Sequence, residues 1–447
     1  MARLRRSAVS ARELARGRAS FLAEAAWLGG GFAIKLPIQL GTLYVLTRGL
    51  GAAGVGTFFA LVGLFACVAA FVQLGTYDLV IRDVARGEPA REVVGRAFVL
   101  MTASFACLLP LLLAAKPLVA GGVGWPAYVA VTLTEAYGVR LTVVANALAI
   151  ARRATHVCAA GDVLLTGGRL AAVWAATALA PGVDAVLVAY AAASAVVTAV
   201  MVGWVVRRAG RPVLRTAGAL REVGEHARMV AAWSMEMLAR EGDKPILAAL
   251  SDPRQAGIYG TATRLFLIAL VPIDLLSTVF RQRAGRASAD PVGGARVRRQ
   301  MAVSFAACGA AAAGGLVALA WLLPRVAPER IRAEFADAQT ALLYLAVAAP
   351  IYGLQRANVI SAIARGATGA YAKATAAAAV IAVATLAAAA PAHGWRAACA
   401  ALVAYLSVSC LLTWVLAPIR LSGDVPADEA EADPVEVAAI ADLQVAR

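Results

Sequence analysis

The chain is a succession of apolar stretches, each long enough to cross a bilayer, joined by short polar links. Windows of about 19 residues place them near residues 25–47, 55–80, 97–115, 126–150, 157–180, 184–206, 229–250, 256–280, 301–323, 338–362, 371–390 and 396–418. About 20 apolar residues in helical form span the roughly 30 Å hydrocarbon layer. Because that layer offers no water to backbone N–H and C=O groups, spans of this kind are helices. The sequence therefore predicts an all-α polytopic membrane protein with about twelve transmembrane helices. The composition agrees: the 447 residues are 61% hydrophobic and 15% charged, with a mean hydropathy of +0.74, far from an ordinary soluble domain.

Charge in the links gives an orientation. One set carries Arg82, Arg86, Arg91 and Arg96, then Arg152 and Arg153, then Arg207, Arg208, Arg211, Arg215, Arg221 and Arg228, then Arg281, Arg283, Arg286, Arg296, Arg298 and Arg299, and last Arg365 and Lys373. The alternate set has only Arg48, Lys116, Arg254, Arg325, Arg330, Arg332 and Arg396. The positive-inside rule puts the first set and both termini in the cytoplasm. Residues 1–24 read as an uncleaved basic cytoplasmic arm, because no Ala-x-Ala-like cleavage site follows and the first span is too long for a signal peptide. Residues 207–228 read as a cytoplasmic linker between an N-terminal six-helix lobe (25–206) and a C-terminal one (229–420), and residues 421–447 as an acidic, solvated cytoplasmic tail. The formal charge of +15 is scattered in short clusters between spans. It points to anionic membrane lipids and not to nucleic acid.

Several chemistries are excluded. The six cysteines lie singly inside apolar spans with no CxxC and no histidine cluster, which disfavours disulfides and metal. The three histidines, His156, His226 and His393, form no catalytic set, and there is no GxxxxGK[ST] loop for nucleotide. No catalytic residue and no cofactor is expected. A membrane glycosyltransferase or glycan polymerase needs a sizeable outer loop, whereas the longest here runs from about Pro324 to Asp337.

Ionisable groups inside the spans are costly and mark function or pairing. The seventh span holds Glu236, Arg240, Glu241, Asp243 and Lys244. Residues 236, 240, 243 and 244 share one helical face, which lines a cavity or forms local pairs, Glu236 with Arg240 and Asp243 with Lys244. Asp162 and Arg169 lie seven apart on one face of the fifth span, and Glu135 and Arg140 in the fourth; each set reads either as a structural pair or as part of a functional lining. Arg264 and Asp274 in the eighth span and Arg356 in the tenth have no obvious local partner. Lys35 stands near the middle of the first span with no acid within a helical turn.

A weak internal repeat relates the halves. The first link reads LGAAGVGTFFA from Leu50 and the link after the seventh span reads LSDPRQAGIYGTA from Leu250, each a short turn with a Gly-x-aromatic entry into the next span. Matching Gly56 to Gly257 superimposes Lys35 on Glu236, so the two are expected to face each other across the lobe interface.

These links resemble the polysaccharide flippases, Wzx-like members of the multidrug/oligosaccharidyl-lipid/polysaccharide exporter superfamily. The first half carries TRGLGAAGVGTFFALVGLF and QLGTYDLVIRDVARG, similar to the family's Arg-x-Leu-Gly, Gly-x-aromatic and Leu-Gly-x-x-x-x-x-x-Arg pattern. The second carries DKPILAALSDPRQAGIYGTATRLF, with Asp243, Gly257, Tyr259, Ala262 and Arg264 at matching positions. The resemblance implies two pseudo-symmetric six-helix lobes around a central cavity in a bacterial cytoplasmic (inner) membrane. It implies a cavity that alternates its opening and moves a lipid-linked oligosaccharide outward for surface polysaccharide synthesis, with a polysaccharide polymerase or glycosyltransferases as neighbours. Lys35, Arg240, Lys244, Arg264 and Arg356 are the candidate cations for the substrate's diphosphate, and Glu236, Asp243 and Asp274 the candidates for ion coupling or gating. A cation-coupled multidrug antiporter of the same superfamily is the rival reading, disfavoured by a first span that has Lys35 and no mid-span acid.

The orientation is tested by reporter fusion or cysteine accessibility: residues 88 and 290 are expected on the cytoplasmic side, and either one outside overturns the topology.

Overall fold

The computed structural model describes residues 2–214, 219–287 and 291–416, and among these all regular structure is helical. In the first half, α1 (Ala2–Gln73) is followed by α2 (Thr76–Ala85), α3 (Ala90–Val119), α4 (Trp125–Val131), a π-helical turn (Thr132–Gly138), α5 (Val139–Ala151), α6 (Thr155–Leu179) and α7 (Val183–Ala209). The second half contains α8 (Ala219–Glu241), α9 (Asp243–Leu250), α10 (Pro253–Ala269), α11 (Val271–Ala287), α12 (Pro291–Val326), α13 (Glu329–Glu334), α14 (Ala336–Ala364), α15 (Thr368–His393) and α16 (Trp395–Leu416).

Every predicted span falls on one helix or on a closely spaced set. The first two lie within α1, which is two helices meeting at Gly51, where φ is 65°. The second continues into α2, the fourth is α4, the π turn and α5, the seventh is α8 with α9, and the eighth is α10 with α11. By length and composition, seven helices among the described residues are apolar enough to cross a membrane alone, and the pair Pro253–Ala269 and Val271–Ser277, bent by 45°, is apolar enough when taken together. Two predicted spans share the one segment Gly29–Gln73. The others fall short for physical reasons. The fourth is interrupted by its π turn, the seventh is charged and broken at Gly242, and the tenth carries Gln355, Arg356 and Asn358. The helix α1 runs back through the predicted basic arm, and α7 continues to Ala209, inside the predicted linker. The predicted tail, 421–447, lies outside the described residues.

Helices of each half pack mainly on one another. In the first, α1 lies along α6 and α6 along α7; in the second, α12 lies against α14 and α15 against α16. The seam between halves is made by α1 beyond its break, which meets α8, α9, α10 and α13, and by α3 against α9. Small residues set these distances, as expected where lipid supplies no hydrophobic drive between helices. The closest approach joins the two repeat-equivalent glycines. A Cβ on Gly56 would overlap the Pro253 carbonyl oxygen, and one on Gly257 would overlap that of Ala52. Both obstacles are backbone and cannot rotate away.

Gly56→Ala and Gly257→Ala are therefore expected to push the seam apart and lower stability by about 1–3 kcal/mol or more, read as a lower melting temperature in detergent. Gly314→Ala, at a position with nothing within 4 Å, serves as the control and is expected to leave it unchanged.

Candidate functional site

Charges in the second half gather where α8 ends. The helix stops at Gly242 and restarts as α9 with Asp243, whose carboxylate accepts the Lys244 backbone N–H at 2.8 Å. This break sets two networks side by side. In the first, Glu236 accepts from Arg240 at 3.3 Å and Arg356 at 2.9 Å through Oε1, and from the Tyr371 hydroxyl at 2.8 Å through Oε2. Arg356 also donates from Nε to the Tyr352 hydroxyl at 2.9 Å, and that hydroxyl donates to Asp274 at 2.7 Å. The Arg240 guanidinium stands 5.6 Å from the Tyr352 ring centre. In the second network, the fully buried Lys244 ammonium donates to the Arg240 carbonyl at 3.1 Å, Glu241 at 2.9 Å and Asp243 at 3.1 Å. Tyr259 donates to the other Asp243 oxygen at 2.5 Å. A charge removed from water in this way needs partners on every side, and both networks supply them. The cleft beside them is lined by Arg240, Thr263, Phe266, Leu270, Tyr352 and Leu402.

The first half has its own buried group. Glu135 sits on the π turn, a local widening that occurs often at functional positions. Thr132 and Thr134 donate back to the Tyr128 and Ala130 carbonyls at 2.7 and 2.8 Å, which fits a perturbed helix here. The Glu135 carboxylate accepts from Arg169 at 2.5 Å and from Ser194 at 2.8 Å, and the Arg169 guanidinium lies 4.4 Å from the Tyr190 ring centre.

The local pairs expected in the seventh span, Glu236 with Arg240 and Asp243 with Lys244, are both present. Three other expectations are corrected. Lys35 does not face Glu236: it donates to Asp162 at 3.2 Å, inside its own half. The reason is packing, because α1 before its break rests small residues on α6, Gly31 on Ala159 and Gly41 on Leu170, which brings Lys35 beside Asp162. Arg169 does not pair with Asp162 along α6 but crosses to Glu135. Arg140 donates from Nε to the Glu135 backbone carbonyl at 3.2 Å, while the Glu135 carboxylate is occupied by Arg169 and Ser194.

The expected cationic surplus also shrinks. Lys35, Arg240, Lys244, Arg264 and Arg356 are matched by as many carboxylates, Asp162, Glu236, Glu241, Asp243 and Asp274, once tertiary neighbours are included. Within that set Arg264 is the exception. It is part-buried, two turns of α10 past Gly257, and its guanidinium lies 5.5 Å from the Phe59 ring centre, with no ion pair among the described residues. Sequence reasoning missed the tyrosines. Tyr352, Tyr371 and Tyr259 each hold a carboxylate, and only Tyr259 stood in a motif.

No family model matches the sequence, and no curated protein is significantly similar to it. Solved structures do share its architecture. An inward-facing multidrug resistance MATE family transporter of the MOP superfamily superimposes with a TM-score of 0.68 at 16% identity, covering 87% of this chain and 98% of that one. The outward-facing conformation of a MATE family transporter of that superfamily gives 0.64 at 14% identity, with 90% and 95% covered. A MOP superfamily transporter from Pyrococcus furiosus Vc1 (DSM3638), for which reverse polarity of the binding pocket suggests a different function, gives 0.63 at 15% identity, again with 90% and 95% covered. At these identities the likeness speaks for the fold, and with the apolar helices it identifies this chain as a multi-pass membrane protein that shares the fold of the MATE transporters.

Proposed function

We propose that this protein is an alternating-access flippase. Its substrate is a polyprenyl-diphosphate-linked oligosaccharide, carried from the cytoplasmic to the outer leaflet of a bacterial inner membrane for surface polysaccharide synthesis. The observation that carries this reading is the state of the interior charges. The carboxylates at the candidate site are all held, Glu236 and Asp274 by arginine and tyrosine, Asp243 and Glu241 by Lys244, Asp162 by Lys35. Within the candidate set, the group with no ion pair among the described residues is a cation, Arg264. A guanidinium with no direct ion pair, enclosed by helices, draws an anion, and the diphosphate is the anionic part of such a substrate. Lys35, Arg240, Lys244 and Arg356 add to the site when phosphate oxygens take the place of their carboxylates, and Glu236, Asp243 and Asp274 retake them after release. This exchange needs no cofactor and no catalytic residue. Membrane lipids surround the helices, and the polymerase or glycosyltransferases that handle the same lipid are the expected protein partners.

One observation favours the cation-coupled multidrug antiporter instead. The Asp274 side chain is 52% exposed, open enough to exchange its Tyr352 hydrogen bond for a cation. Export assays separate the two. Arg264→Ala is expected to cut glycan export at least tenfold, about 1.4 kcal/mol of lost interaction, with protein level unchanged because no ion pair is lost with that guanidinium. Full export by Arg264→Ala, together with loss of drug efflux in Asp274→Asn, sinks the flippase reading.

The ion pairs give a second test. Lys35→Ala and Asp162→Ala are expected to be coupled in a stability cycle by about 0.5–3 kcal/mol, at the low end because both side chains are part-exposed. Lys35→Ala and Glu236→Gln are expected to add. The reverse result returns Lys35 to the lobe interface.

A further inference from the structure

Where α1 breaks, the first amide beyond the break looks for an acceptor. The N–H of Ala52 donates at 2.9 Å to Oε2 of Glu334, 282 residues away in the other half. Glu334 ends α13, the short helix in the link between α12 and α14. The fit is close: a Cβ on Gly51 would stand 2.5 Å from that same oxygen. The first turn of a helix carries unpaired N–H groups and a partial positive charge, so a carboxylate is a strong cap for it.

The repeat makes this cap unusual. The superposition that matches Gly56 to Gly257 also matches Gly51 to Asp252. In the second half, Asp252 caps its own helix, accepting from the Arg254 N–H at 2.9 Å. In the first half the equivalent residue is glycine and has no side chain to do so. The helix after Gly51 therefore takes its cap from the opposite lobe, and the bond lasts only while the lobes are closed at that end. One turn further along lies the Gly56–Gly257 crossing, the tightest part of the seam, and Arg264 stands two turns deeper.

We propose that Glu334 is the latch of a gate at this end of the bundle, seated on the α1 amide when the halves close over the site and released when they part. By the predicted orientation this is the outer gate. Separation of the halves leaves the N-terminus of α10 capped and uncaps that of α1, so Glu334 biases the cycle toward the state closed at this face. The purpose of the latch rests on the alternating-access reading. Its test needs no substrate, so a failure of glycan export leaves it standing.

The test is maleimide labelling of the full-length protein in membranes, read peptide by peptide with mass spectrometry so that native cysteines are kept. A reporter thiol is introduced by Ala256→Cys, at a position 0% exposed beside the crossing. Adding Glu334→Ala is expected to raise its labelling rate about threefold to tenfold, the population change that one net intramolecular hydrogen bond controls. Glu334→Gln, which keeps an acceptor and loses the charge, is expected to raise it less. Native Cys399, 0% exposed on α16, reports general loosening and is expected not to change. An unchanged rate at position 256 in both variants overturns the latch, as does a parallel rise at Cys399, which marks Glu334 as a merely structural contact.

Discussion

An ionised side chain enclosed by hydrocarbon has no water to solvate it, so it must find opposite charge, hydroxyl or backbone oxygen within the protein. The interior of this molecule is organised by that requirement. Glu236 collects two guanidiniums and a phenol. Lys244 is fully buried and touches two carboxylates and a carbonyl. Each network joins residues from several helices, so it also fixes how those helices sit: Glu236 ties α8 to α14 and α15, and Asp243 ties α9 to α10. The energetic weight of such networks is asymmetric. Their presence adds modestly to stability, but removal of one member strands the rest. A group that escapes this pairing, as Arg264 does, is more informative than any of those that obey it.

The seam between the halves follows a different rule. Polar networks stay mostly within one half, while the contact between halves is built from backbone pressed on backbone at Gly56 and Gly257, Phe59 over Gly260, and the Glu334 cap. Contacts of this type depend on close approach and contain few buried charges, so parting them strands little. The charged networks thus hold each half together, and close packing holds the halves to each other. The sequence repeat matches glycine to glycine at the crossing and differs at the cap, where Asp252 has Gly51 as its counterpart.

Much of this was legible in the residues. The apolar spans alone located the long helices and the broken ones, though not the short α13, because span length and hydropathy answer to the bilayer and not to neighbouring helices. The glycines were legible as a repeat, and the i, i+4 spacing of Glu236 and Arg240 gave their ion pair, since both partners ride on one helix face. Lys35 was legible as a charge in need of a partner.

Its actual partner was not. Whether Lys35 meets Asp162 or Glu236 depends on the angle and depth at which α1 packs on α6, and no local spacing contains that information. The same holds for Arg169 choosing Glu135 over Asp162, for Arg356 reaching Glu236 from 120 residues away, and for Glu334 capping α1 across the seam. Periodicity along one helix sets which residues share its face; only the crossing of helices sets which faces meet. The sequence thus settled that this is a bundle of membrane helices with charge inside it, and the tertiary structure decided how those charges are paired and left Arg264, within the candidate set, with no ion pair among the described residues.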